Sequence, residues 1–511
     1  MKKYISIKFL FILIALGLIT TSCVDEKQWE ADQAPAPPAL TNGDADFSTY
    51  VAIGNSLTAG FTDGALFIKG QENSIPNLVA NKFAMAGGGS FTQPLMADNN
   101  GGLLIGGTQI QNQRLYFDGN GPTLVPDAPT TDIMNIASGP FNNMGVPGAK
   151  SYHLDFSGYG NIAGVGVYAN PYFVRMASSP AATVIGDAIA QNPTFFSLWI
   201  GANDVLRYAL NGGDGIDQTG NPDPTTYGDA DITDPTVFGA VYNQLVNGLT
   251  ANGAKGVVLN LPDITAIPYF TTVPYNPVPL DTDTASQLNT AFAAYNGGVQ
   301  QALSALVAAN LITQEMADAE LAKRTVTYTA GQNPVLIMDE TLIDLTAINP
   351  QLISMRQATP EDLIVLPASS FIGTYAVPGN PQSVNGVAVP LADKWVLLPS
   401  EQEAIQTAIT AYNTSIESIA TAKNLAFVDV NTMMNDLANG GLSFDEFTMT
   451  NQYILGNTFS LDGVHPTARG NAFIANAILK AIDAKYGSNF EASGNLNKAK
   501  DFVIQYPATI Q

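Results

Sequence analysis

Four short stretches of the chain are continuously apolar and closed by Gly or Pro or followed by a helical pattern. They are residues 48–53 (STYVAI), 194–200 (TFFSLWI), 256–261 (GVVLNL) and 425–430 (LAFVDV). Such runs, rich in Val, Ile and Phe and without polar alternation, suit strands buried on both faces of a parallel sheet. Helical periodicity separates them. Val237, Val241, Leu245 and Leu249 recur at i, i+4 over about 235–250. Ile405, Ile409, Tyr412, Ile416 and Ile419 mark one face of 401–423. A last amphipathic pattern begins near Pro466 and carries Phe473, Ile474, Ala477, Ile478, Ala481 and Ile482. Strand and helix alternating in this way predict an α/β fold, a three-layer α/β/α sandwich around a parallel central sheet.

Two stretches break the alternation. Residues 212–235 carry Asp214, Asp217, Asp223, Asp229, Asp231 and Asp234 and read as a solvated acidic loop. Calcium is a conceivable guest, but the spacing matches no EF-hand. Residues 268–399 hold a long helical pattern over 284–309, then turn-rich sequence, and read as an insertion or cap. The sheet domain is therefore expected over 48–267 and 400–486, with 487–511 as a C-terminal extension. The phrases AFAAYNGGV (291–299) and AITAYNTSI (408–416) echo each other, but a single echo makes no repeat.

The N-terminus reads as an address. Lys2, Lys3 and Lys8 precede or open an apolar run over 9–19, too short for a membrane span of ~20 residues. Thr20, Thr21 and Ser22 lead into Cys23, the lone cysteine. This resembles a bacterial lipoprotein signal over residues 1–22, with Thr20 where such signals usually have Leu. The resemblance implies lipidation of Cys23 and an exported lipoprotein of the outer membrane, periplasmic or surface-exposed. Residues 23–47, with Pro35, Pro37 and Pro38, then read as an extended tether.

Composition narrows the chemistry. Of 511 residues 46% are hydrophobic and 13% charged, which argues against disorder. Asp and Glu total 44 against 21 Lys and Arg, a net charge of −23, and this argues against a nucleic-acid partner. One cysteine excludes an intramolecular disulfide, and with only two histidines a zinc site is not expected. Metal and organic cofactors are thus expected to be absent. Catalysis, if any, falls on few residues.

Four motifs stand at strand ends or helix entries. Gly54-Asn55-Ser56-Leu57 follows the first run, where a serine hydroxyl would rise at the C-terminal edge of the sheet. Residues 143–151 (NMGVPGAKS) include Gly145 and Gly148, whose backbone can approach a ligand closely. Gly201-Ala202-Asn203-Asp204 closes the strongest run and would project an amide over the sheet edge. Asp462-Gly463-Val464-His465-Pro466 sets a carboxylate three residues before a histidine at a helix entry. There the acid can hold Nδ1 and leave Nε2 to accept a proton. Each motif alone also reads as a turn or a helix cap. The other histidine, His153, has no acid at that spacing.

Together, in this order, Gly54–Leu57, Gly148, Gly201–Asp204 and Asp462–His465 resemble the GDSL, or SGNH, hydrolase family, whose fold is flavodoxin-like. Asn260-Leu261-Pro262-Asp263 is a further likeness. The resemblance implies a serine esterase or lipase, or a carbohydrate acyl esterase. Ser56 would be the nucleophile, His465 the base and Asp462 its orienting acid. The backbone N–H groups of Ser56 and Gly148 and the Asn203 amide would form the oxyanion hole, with Gly145 the rival of Gly148. Asn55 stands where the family's namesake motif has Asp, and the Gly-x-Ser-x-Gly elbow of the α/β-hydrolase fold is absent. The implied partners are a small-molecule, polysaccharide or lipid ester and, through Cys23, a membrane. Within the insertion, Tyr269, Phe270, Tyr275, Phe371, Tyr375 and Trp395 are candidates for core or for an acyl pocket, core being the expectation. A contrasting reading is a lipid-anchored surface protein that binds glycan without catalysis.

Overall fold

The computed structural model describes residues 36–510. The signal segment, Cys23 and the first part of the tether lie outside the described residues. No helix among the described residues is long and apolar enough to cross a membrane.

Five parallel strands form the central sheet: β1 (Tyr50–Gly54), β2 (Asn143–Gly145), β3 (Phe195–Trp199), β4 (Lys255–Leu259) and β5 (Ala426–Val428). Their spatial order is β5-β4-β3-β1-β2. The chain thus starts in the sheet's interior, goes to one edge, then returns and builds outward the other way. In such a doubly wound sheet the strand order reverses between β1 and β3, and a crevice opens there at the carboxyl ends. The predicted apolar runs became β1, β3, β4 and β5. Every residue of β1 and β3 is buried, including Val51, Ile53, Phe195, Phe196 and Leu198. Each such side chain contributes roughly 1.5–3 kcal/mol by leaving water.

β2 was expected only as part of a glycine loop. Its three residues, Asn-Met-Gly, carry no apolar run, and they are a strand because β1 offers an open edge: Gly145 pairs with Gly54 and Asn143 with Ala52. Between β1 and β2 the chain also makes an unforeseen excursion with two antiparallel hairpins, Leu103–Ile105 with Thr108–Gln111 and Leu115–Phe117 with Pro122–Leu124.

The helices form two outer layers. α1 (Ser56–Ala59) is a single turn after β1; α2 (Ile75–Met85) packs with the C-terminal helix over the sheet. α3 (Asn203–Leu210) follows β3, and α4 (Pro235–Thr250) is started by Asp234, whose carboxylate accepts from the N–H groups of Thr236 and Val237. α5 (Thr282–Ala308) and α6 (Gln314–Arg324) belong to the insertion. α7 (Pro399–Ala422) packs on α4, where Phe238 and Tyr412 stack 4.2 Å apart. α8 (Val430–Asn439) follows β5, and α9 (Ala468–Tyr486) closes the layer with α2.

The insertion has a small core of its own around Val299, Leu303, Leu345 and Leu352, while its Val278, Ala285 and Phe292 join the main core. Buried Arg324 stitches it by donating to the carbonyls of Ile343, Leu352 and Ile353. The tether ends earlier than expected. Asp44 N donates to Tyr486 O at the end of α9, and Phe47 is buried and stacks on Phe83 at 3.7 Å. The C-terminal extension also folds back: Arg114 donates to the carbonyls of Pro507 and Ala508, and Tyr506 packs edge-on against Phe67.

Candidate active site

Ser56 is the first residue of α1, so its N–H has no acceptor within the helix. Asn55 caps the turn: its side-chain oxygen accepts from Leu57 N at 3.0 Å. That role needs an oxygen and no charge, which explains how Asn serves where the resembled family has Asp. Across the crevice His465 Nε2 lies 2.9 Å from Ser56 Oγ, and His465 Nδ1 lies 2.9 Å from Asp462 Oδ2.

Asp462 is held from all sides. Its Oδ1 accepts from His465 N at 2.8 Å, Val464 N at 2.9 Å and Ser460 Oγ at 3.0 Å; its Oδ2 also accepts from Gly64 N at 2.9 Å. Burial alone would raise this carboxyl. The neighbouring His465 and these hydrogen bonds outweigh it and bring the pKa down to about 2.

The sequence did not single out the segment that clasps this loop. Thr62 Oγ1 donates to Pro466 O, Asp63 N donates to Ser460 Oγ, and Asp63 Oδ1 accepts from Leu461 N at 3.0 Å. Phe61 lies over the His465 ring, centroids 4.7 Å apart. The available signal was the Asp63-Gly64 turn so soon after Ser56, but its partner is about four hundred residues away in sequence. Asp63 is buried, and burial, with help from Asp462's charge, pushes it up to about 7 against the opposing Leu461 bond and Arg114 charge. Two neighbouring carboxyls are thus driven in opposite directions.

Asn203 opens α3 and is buried; its Nδ2 donates to Ala149 O at 2.9 Å, leaving a second amide hydrogen free of that bond. Gly201, with φ of 123°, makes the turn before it, and a Cβ there would sit 2.7 Å from the Phe238 ring. Asp204 next to it is fully buried and accepts from both Ser151 N (2.8 Å) and Ser151 Oγ (2.7 Å). Asn203 and Asp204 therefore pin the 148–151 loop to α3. Of the two candidate glycines, Gly145 spends its N–H on Asn143 Oδ1, whereas Gly148 turns with φ of 82° just beyond the point where Val146 N bonds Gly54 O. Gly148 does not line the cavity that Ser56, Asn203 and His465 share; Ala149 ties it to them.

That cavity, about 810 Å³ counting its open mouth, runs from Ser56 between α3, α8 and the start of α9. None of the six insertion aromatics named above lines it. Phe270 is core, Phe371 stacks on Trp395, and Tyr375 is exposed. The insertion instead backs the histidine loop: Tyr269 N donates to Gly463 O, and Leu366 N to Tyr269 O.

No family model matches the chain. No curated protein sequence matches it either. Among solved structures it is similar to an acetylxylan esterase from Geobacillus stearothermophilus (11% identity, 86% of this chain and 96% of that one, TM-score 0.30). It is also similar to an extracellular lipase from Streptomyces rimosus (12% identity, 85% of this chain and 98% of that one, TM-score 0.28). These neighbours are ester hydrolases, and likenesses this distant carry neither substrate nor residue roles.

Most carboxylates of the 212–235 loop are engaged as turn or helix-cap acceptors, and Asp229 pairs with Arg207 at 3.2 Å. Asp231 accepts from Ile216 N, Gly228 N and Gln218 Nε2, and Asp217 accepts from Thr219. Among the described residues the acids close enough together to share a cation are Glu340, Asp393 and Glu401, and none of them lines the cavity.

Proposed function

We propose that this protein is a serine ester hydrolase of the GDSL/SGNH type. The observation that carries the reading is the continuous Ser56–His465–Asp462 relay, with 2.9 Å at each link and Asp462 kept ionised. Ser56 Oγ passes its proton to His465 Nε2 and attacks the ester carbonyl. Asp462 holds the ring through Nδ1 and stabilises the imidazolium. The developing oxyanion takes hydrogen bonds from the Ser56 N–H, the Gly148 N–H and the free Asn203 amide hydrogen. His465 then protonates the departing alcohol, leaving the acyl group on Ser56. Water, deprotonated by the same ring, releases the acid.

The test is hydrolysis of p-nitrophenyl esters together with labelling by a fluorophosphonate. Wild type should label at Ser56, and Ser56→Ala should lose both label and turnover. Labelling elsewhere, or turnover kept in Ser56→Ala, overturns the assignment. From the sequence we also propose that Cys23 is lipidated and anchors an exported enzyme to the outer membrane. Incorporation of an alkynyl fatty acid that persists in Cys23→Ala would refute it.

A further inference from the structure

We propose that the cavity beside Ser56 is an acyl pocket and that the substrate class is esters of long unbranched acyl chains rather than acetyl esters. The inference rests on the esterase reading and asks what that site was shaped for. The cavity is walled by Trp199 at the end of β3, Leu206 on α3, Met434 and Leu437 on α8, Ile267 after β4, and Ile474 on α9. No Asp, Glu, Lys or Arg side chain lines it. Its polar members are already engaged: Ser56 and His465 with each other, Asn55 in its cap, Asn203 on Ala149 and Thr458 on Gly456. A sugar would find few hydrogen-bond partners in it, chiefly the Asn203 amide hydrogen that serves the oxyanion, and burying its other hydroxyls unpaired would cost free energy. Apolar walls with a few polar groups gathered at one point suit an apolar guest. The unbranched, polarisable side chains of Met433 and Met434 let the wall follow a flexible chain.

The chain in the pocket is the acyl and not the alcohol. After the first step the acyl group stays bonded to Ser56 while water must reach His465. A deep pocket can hold the group that remains without obstructing this, whereas an alcohol chain lodged there would have to withdraw before water entered.

The experiment measures kcat/KM of the full-length protein on p-nitrophenyl acetate, butyrate, octanoate and laurate, and on ethyl, butyl and octyl acetates. The acyl series should rise about fourfold per buried CH₂ until the pocket is full, and the alkyl acetates should stay flat. Leu437→Trp and Met434→Trp should each lower the laurate-to-butyrate ratio by about tenfold or more. The ratio is read within each variant, so partial loss of folded protein does not affect it. An optimum at acetate with turnover that still depends on Ser56, or a rise that follows the alcohol, overturns the acyl pocket and leaves the esterase reading standing. Absence of turnover on every ester, with no fluorophosphonate label, overturns both.

Discussion

The two histidines occupy comparable turns and have opposite fates. His465 and His153 each sit three residues after the group that holds the ring. For His465 that group is the Asp462 carboxylate, which accepts from Nδ1 and leaves Nε2 directed at Ser56 Oγ. For His153 it is the Lys150 backbone N–H, which donates to Nδ1 at 3.1 Å. A ring nitrogen that accepts must be unprotonated, and burial together with the Lys150 and Arg207 charges lowers His153 to about 3. Its ring stacks on Tyr159 at 4.8 Å. The same spacing thus builds a proton acceptor in one place and a permanently neutral packing element in the other. What differs is whether the neighbour three residues back accepts or donates.

The sharpest way to break the comparison is to delete each ring. His465→Ala should lower kcat on p-nitrophenyl esters by on the order of 10⁶ with little change in melting temperature. His153→Ala should do the reverse: it keeps turnover in the folded fraction but loses about 1–2 kcal/mol of stability in denaturant melts, because a half-buried ring stacked on Tyr159 is removed. Removing only the acceptor comes next. Asp462→Asn should cost on the order of 10⁴ in kcat, since an amide can present the wrong group to Nδ1. Asn203→Ala should cost about 10²–10³ in kcat, the effect of one oxyanion donor, and should leave the fluorophosphonate-reactive serine in place.

The smallest effect belongs to the clasp. Asp63 has a folded pKa raised to about 7, above its ordinary value. Its stabilising contribution is therefore complete in acid and is lost as pH rises through about 7. The resulting fall in melting temperature should lie between about pH 4 and 7 in the wild type and level off above that. The fall should shrink in Asp63→Asn, which keeps an oxygen for Leu461 N without a charge. Asp462 behaves oppositely, its contribution being lost as pH falls from about 4 towards 2. An unchanged pH profile in Asp63→Asn would show that the clasp does not titrate.

Much of this was legible in the chain. β1, β3, β4 and β5 are apolar runs because strands covered on both faces must be, and the long helices kept their predicted limits to within two or three residues. The Asp462-x-x-His465 spacing is local, so its geometry could be read locally. The partners of that geometry could not. Gly64 meets Asp462, and Asp63 meets Ser460 and Leu461, only because the loop after β1 and the loop before α9 arrive at the same crevice. The three residues of β2 have no strand signature of their own and owe their pairing to the free edge of β1. The aromatics of the insertion were candidates for an acyl pocket by composition, yet the cavity is walled by α3, α8 and α9. By itself the sequence determined which residues are chemically able to act and which segments are buried, since both follow from side-chain type and period. Only the tertiary structure decided which of them face one another, because that depends on strand order and on contacts whose sequence separation no local pattern encodes.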